Sequence, residues 1–394
     1  MKKYLLIVFF FIQTFLFGQS NVNPDISLIG TFNTYTNFIN GSPDKGKLNF
    51  EQPSMELFVD GYLNPFARAT GNIAYEDGSF SVEELYANVV RGLPLDMQIK
   101  AGKYLLGFGK LNTVHPHAWP FLDRPLVHQI YFGPEGFNDI GVNLSFILPT
   151  EDFYSSIDVG IYKGDAIAKS EAADPESEES IQKLRGKSPI FVGRLGAFFP
   201  IGDYDNIDVG LSSSYGIHAI NSFAVENNNY LIFMPHSLQY LYTGFDFKYK
   251  YKPDTYTSLT VQGEFLSNYR QVIRAVREYY PKQPGVLITI NTFGTYLYFD
   301  YQFDKIFSVG AKYDFTYGII DDAPSYNTLS NDDKNKTSGY SVWFGYYPVE
   351  ETLALRFGVQ YLTFSYADGT TRDGETTLKL QMLFSLGPHK AHPF

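Results

Sequence analysis

The sequence predicts an all-β protein, a transmembrane antiparallel β-barrel of the outer-membrane type with about sixteen strands, fourteen to eighteen being the range. Three observations predict it. The composition is rich in Tyr (31), Phe (35) and Gly (34), with two Trp and no Cys. Long runs alternate apolar and polar residues. Short turns alternate with longer polar loops along the chain. No apolar run after the amino terminus approaches the length of a membrane helix, so a spanning chain of this kind must cross with strands.

The first eighteen residues have a different character. Lys2 and Lys3 precede the apolar stretch Tyr4–Phe11, apolar sequence resumes to Phe17, and Gly18 is a small residue before Gln19. This is the pattern of a secretory signal peptide over 1–18. Residues 19–394 are then expected to form one mature barrel domain. The first expected strand begins within about ten residues of the mature amino terminus, leaving no room for a plug domain. The formal net charge of −11 argues against nucleic acid as a partner. The absence of Cys excludes thiol chemistry and Cys-metal sites.

Strand centres are expected in order at Ile26–Phe38, Ser54–Tyr62, Ala67–Tyr75, Val82–Val90, Gln98–Leu106, Gly141–Leu148, Ser156–Lys163 and Ile190–Phe198. They continue at Ile207–Ile217, Leu238–Tyr251, Thr257–Tyr269, Val286–Phe299, Phe307–Ile319, Tyr340–Tyr347, Leu353–Tyr366 and Thr377–Leu386. The reasoning is plainest in the second half. Leu241, Thr243, Phe245, Phe247, Tyr249 and Tyr251 share one face, and Tyr242, Gly244, Asp246, Lys248 and Lys250 share the other. Phe307, Val309, Ala311, Tyr313, Phe315 and Tyr317 oppose Ser308, Gly310, Lys312, Asp314 and Thr316 in the same way. Strands of a soluble sandwich are usually shorter than these runs, which suit a tilted bilayer crossing.

Seven connections carry turn residues: Leu63–Pro65, Leu93–Asp96, Pro149–Asp152, Ile201–Asn206, Lys252–Thr255, Phe303–Lys305 and Pro348–Thr352. The eight on the other side fall at Asn40–Lys47, Glu76–Ser79, Thr113–Asp139, Gly164–Ser188, Asn221–His236, Arg274–Gly285, Asp321–Lys336 and Ala367–Glu375. Short periplasmic turns and longer outer loops are the pattern of outer-membrane barrels, which places the chain in the cell outer membrane, in contact with its lipid.

The third loop, 113–139, holds the chemistry. Its His115, His117, Asp123, Arg124 and His128 would line and narrow the lumen if it folds inward. It could instead close over the mouth, with Trp119, Pro120, Phe121 and Leu126 packed against the rim. His115 and His117, two residues apart around Pro116, present two imidazoles on one side of an extended chain. Asp123 or His128 could complete a metal set. Two such histidines could equally be hydrogen-bonded loop residues. No cofactor is required, and zinc is the one candidate metal. In the acidic pair Glu83 and Glu84, alternation puts the two on opposite faces, with Glu84 toward the lumen. The acidic run Glu171–Glu179 reads as a solvated outer loop.

The segments KAGKYLLGFGKLNTVHPHAWPFLDRPLV and FGPEGFNDIGVNLSFILPTEDF, with NPDIS at Asn23–Ser27 and GPHKAHPF at Gly387–Phe394, resemble a bacterial family of zinc-regulated TonB-dependent outer-membrane receptors. The family motif His-x-His-Ala-Trp falls on His115, His117, Ala118 and Trp119, and Asp-x-Pro-Leu-Val on Asp123, Pro125, Leu126 and Val127. The resemblance implies an outer-membrane barrel linked to zinc supply. Receptors of the TonB-dependent kind have about twenty-two strands and a separate plug. This chain departs on both counts, and a passive channel suits its length better.

The last strand alternates Leu378, Leu380, Met382, Phe384 and Leu386, and the chain ends on Phe394. That ending resembles the signal read by barrel-assembly machinery, an expected partner. No Gly-x-Ser-x-Gly, His-Glu-x-x-His or phosphate-cradling glycine loop occurs, so no enzyme is expected. The sequence therefore points to a porin-like channel for small solutes or ions. The alternative is a receptor or structural barrel that binds a partner through its outer loops. Oligomeric state is not legible.

Overall fold

The structure, a computed structural model, describes residues 24–149, 152–166, 183–184, 189–225, 231–274, 286–318, 335–349, 352–366, 369 and 371–387. The signal peptide expected over 1–18, the acidic run Glu171–Glu179, and His389, His392 and Phe394 lie outside these residues.

Sixteen long strands form one closed antiparallel sheet. The first eight are β1 Asp25–Asn37, β2 Ser54–Asn64, β3 Ala67–Glu76, β4 Ser79–Val89, β5 Gln98–Leu105, β6 Asn138–Pro149, β7 Tyr154–Tyr162 and β8 Ile190–Ile201. The second eight are β9 Asp205–Val225, β10 Leu231–Tyr251, β11 Ser258–Arg274, β12 Val286–Phe303, β13 Phe307–Tyr317, β14 Lys336–Val349, β15 Leu353–Ser365 and β16 Thr371–Leu386. Each pairs with its neighbours in sequence, and β1 closes on β16 from Leu28↔Leu386 to Asn37↔Thr377. Two two-residue strands, Asn49–Phe50 and Lys183–Leu184, add brief pairings to β1 and β9. Closure leaves no unpaired edge, the condition for a sheet to sit in hydrocarbon.

The two faces are inverted relative to a soluble protein. On β10 and β13 the outward Leu241, Phe245, Val309 and Tyr313 are exposed, whereas the inward Asp246, Lys250, Ser308, Lys312 and Asp314 are buried. An exposed apolar belt of this extent is a lipid-facing surface. No helix among the described residues is long and apolar enough to cross a membrane.

Five of the seven expected turns lie wholly within the described residues and join the strands assigned to them, whereas 150–151 and 350–351 of the other two lie outside the described residues. Two expectations need correction. The loop expected at Asn221–His236 is shorter, because β9 and β10 continue pairing out to Val225↔Leu231. Glu83 and Glu84 do not face opposite ways. The β3–β4 register shifts between Asn72↔Glu84 and Ile73↔Val82, which makes Glu83 the extra residue of a β-bulge. A bulge breaks the alternation locally, and both carboxylates reach the same imidazole, that of His115.

Candidate functional site

The segment after β5 runs inward and returns to β6. It contains a short 3-10 turn, Pro116–Ala118, and a seven-residue helix α1, Leu126–Phe132. Proline helps set both: Pro116 opens the turn and Pro125 immediately precedes α1. The segment touches strands around the whole circumference, from Glu56 on β2 through Glu264 on β11 to Lys379 on β16. A chain making all these contacts occupies the barrel interior.

One edge of the segment is a hydrophobic core. Phe108, Trp119, Phe121, Val127, Tyr131, Phe132 and Phe137 pack with the inward side chains Tyr242, Leu266, Tyr296, Tyr298 and Trp343. Tyr131 Oη also donates to Thr292 Oγ1 at 3.0 Å, and the Leu126 N–H donates to Asp314 Oδ1 at 3.2 Å. The base of the segment is tied to Glu264. Its Oε1 accepts the backbone N–H groups of Lys110 (2.8 Å) and Leu111 (2.7 Å), while His128 Nε2 lies 2.7 Å from Oε2. Gly109, with φ +68°, allows the close approach: a Cβ there would sit 2.6 Å from Glu264 Oε2. His128 is wholly buried. The expectation that it lines open space is therefore corrected: α1 turns it toward Glu264.

The other edge is polar. His115 Nε2 is 3.0 Å from Glu84 Oε2, and its Nδ1 is 3.5 Å from Glu56 Oε2 and 3.7 Å from Glu83 Oε2. His117 Nδ1 is 3.2 Å from Glu56 Oε1. The two imidazoles stack with centroids 5.7 Å apart. Asn72 Nδ2 donates to Glu56 (3.1 Å) and Glu83 (2.9 Å). Burial by itself would lower the proton affinity of His115. The Glu84 hydrogen bond and the charges of Glu56, Glu84 and Glu83 outweigh it and lift the imidazole to about 9. His115 is thus an imidazolium at neutral pH, held by carboxylates.

Asp123 Oδ1 accepts from Lys379 Nζ at 3.1 Å, and Lys379 also reaches Glu51 at 3.4 Å. The Asp123 carbonyl accepts from Lys312 Nζ at 2.8 Å, and the His117 carbonyl accepts from Arg356 at 3.3 Å. Arg124 lies over the Trp119 ring at 4.8 Å. Burial lowers it to about 10, against the pull of Glu83 and Glu76.

The four residues named as a metal set do not converge. His115 and His117 lie together, Asp123 is held by Lys379, and His128 is held by Glu264. The donors that do meet are Glu56, Glu83 and His115, whose ligand atoms lie within 4.8 Å of one another. Two carboxylate oxygens and one imidazole nitrogen fit a divalent ion such as zinc, with a coordination position left open. Sequence reasoning missed Glu56. The available signal was its phase, because Glu56 and Asp60 share the inward face of β2 in a strand whose Leu57 and Val59 face outward.

Below this edge, toward the short-turn end, lies a cavity of about 310 Å³. The His117–Pro120 stretch of the segment lines its inner side, and the short β10–β11 and β12–β13 turns line its far end.

No family model matches the chain. An uncharacterized protein of Aquifex aeolicus is 29% identical over 362 residues, covering 90% of this chain and 73% of that protein. Three solved structures are similar in fold. OprB of Pseudomonas putida has a TM-score of 0.55 at 11% identity, covering 93% of this chain and 94% of its own. An anion-selective porin from Comamonas acidovorans has a TM-score of 0.55 at 9% identity, covering 92% and 100%. The outer-membrane channel DcaP of Acinetobacter baumannii has a TM-score of 0.52 at 12% identity, covering 93% and 97%. The protein is an outer-membrane β-barrel of porin-like fold. In barrels of this type the short turns face the periplasm, and the 310 Å³ cavity lies at the short-turn end. None of these comparisons carries a link to zinc or to TonB.

Proposed function

We propose that the protein is a passive, water-filled channel for small solutes, with the segment 113–139 as its constriction. The observation that carries this reading is the two-sided character of the segment. One edge is buried in a core that fixes its position. The other presents His115, His117 and Asp123, partly exposed, to Glu56, Lys379 and Arg356, with a vestibule beneath. A polar constriction held on a rigid support selects by size and charge. The alternative, a receptor or structural barrel working through its outer loops, needs no such vestibule. Planar-bilayer recording of the purified protein separates the two: stepwise conductance supports the channel, and none supports the alternative.

A second reading concerns metal. Glu56, Glu83 and His115 would bind Zn²⁺ weakly, because the ion must displace the His115 proton and too few ligands are present to form a closed site.

A further inference from the structure

The vestibule has a charge that the channel reading leaves unexplained. Its lining includes Lys110, Lys248, Lys250, Lys252, Lys305 and Arg356, against the single carboxylate of Asp300. Lys110 is paired with Asp208. Among the described residues, the side-chain nitrogens of Lys250, Lys252, Lys305 and Arg356 have no carboxylate oxygen within 4.0 Å, although the Lys252 backbone N–H donates to Asp205 Oδ1 at 2.7 Å. Arg356 is held by neutral acceptors instead, Gln381 Oε1 and the His117 carbonyl, each at 3.3 Å. Asp300 accepts the Trp343 indole N–H at 2.8 Å, which partly satisfies its charge.

The carboxylates at the constriction do not cancel this excess. Glu56, Glu83 and Glu84 surround the His115 imidazole, Glu51 and Asp123 share Lys379, and none of these five carboxylates lines the vestibule. Although the whole chain has a formal net charge of −11, the field inside this vestibule is positive. Low-dielectric walls around charges of one sign concentrate counter-ions. A volume of about 310 Å³ admits a small ligand and its water, not a large one.

Building on the channel reading, we propose that the channel prefers small anions, and that the vestibule is where they are concentrated. Solutes bearing carboxylate or phosphate groups are the class it fits. A cation entering from the outer side crosses the constriction and then meets the lysines. An anion meets favourable charge there and leaves through the periplasmic mouth.

The test is the zero-current potential of the purified protein in a planar bilayer under a KCl gradient, repeated with potassium phosphate. Wild type should favour Cl⁻ over K⁺ by about tenfold, the low end of such focusing. Lys252→Gln/Lys305→Gln, both at turns, should lower the ratio, and adding Lys250→Gln should bring it toward unity. Heat-modifiable migration on gels confirms that each variant has folded. Conductance with K⁺ preferred, or a ratio unmoved by all three substitutions, overturns the anion preference while leaving the channel standing. Absence of conductance would instead remove the channel reading on which the preference rests.

Discussion

His128 Nε2 lies 2.7 Å from Glu264 Oε2, and neither side chain has exposed surface. This pair, 136 residues apart in sequence, pins the inward segment to the barrel wall. The same carboxylate accepts two backbone N–H groups from the segment's base, so its loss leaves three donors unpaired at once. Each buried donor left without its acceptor costs about 1–3 kcal/mol. Glu264→Ala should therefore lower the thermal midpoint and expose Lys110 and Arg124 to trypsin. Gly109→Ala should act in the same direction, since its Cβ would meet Glu264. Midpoint and cleavage pattern unchanged in both variants would show that the anchor lies elsewhere.

His115 sets a pH dependence. Its imidazole is lifted from the ordinary 6.5 to about 9 by Glu84, Glu56 and Glu83. The folded state therefore holds the proton more tightly than the unfolded chain. The stabilisation is fully present below about pH 6.5 and is lost as pH rises through about 9. Trypsin sensitivity of the 113–139 segment should increase between pH 7 and pH 10 in wild type. His115→Gln cannot titrate and should show a smaller pH effect. Equal pH profiles in the two proteins would contradict this account of the cluster.

Zinc provides a separate check on the same residues. Titration calorimetry should show weak binding to wild type and none to His115→Ala. Asp123→Ala and His128→Ala should retain it, since those side chains are held by Lys379 and Glu264. Binding that survives His115→Ala, or that disappears in Asp123→Ala, would assign the metal to other donors.

Much of the barrel could be read from the sequence because a strand in a bilayer has a strict period of two and each face has its own solvent. Leu241 and Phe245 against Asp246 and Lys250 announce both the strand and its orientation. Where alternation fails, the reading fails with it: the bulge opposite Asn72 brings Glu83 round to join Glu84, and no pattern in Val82–Leu85 signals it. The outer ends of β9 and β10 were misplaced for a related reason. Asn221 and Pro235 read as loop residues, yet backbone pairing carries the ladder past them. The candidate site was half visible. His-x-His identified the right stretch of loop, but its partners Glu56 and Glu84 lie 61 and 31 residues away, on β2 and β4, and meet it only because the segment folds inward. His128 was assigned to the lumen because nothing in a proline-rich loop foretold α1, which turns it toward Glu264.

The central claim is that the edge carrying Asp123 borders the path of ions. The chain contains no Cys, so a single introduced thiol can be modified without background. The decisive measurement is single-channel conductance of Asp123→Cys in a planar bilayer, before and after a charged methanethiosulfonate reagent. Bulk added where Asp123 faces Lys379 should reduce the conductance of each channel by severalfold, and a reducing agent should restore it. Conductance unchanged after complete, mass-verified modification would place the ion path away from this segment and contradict the account.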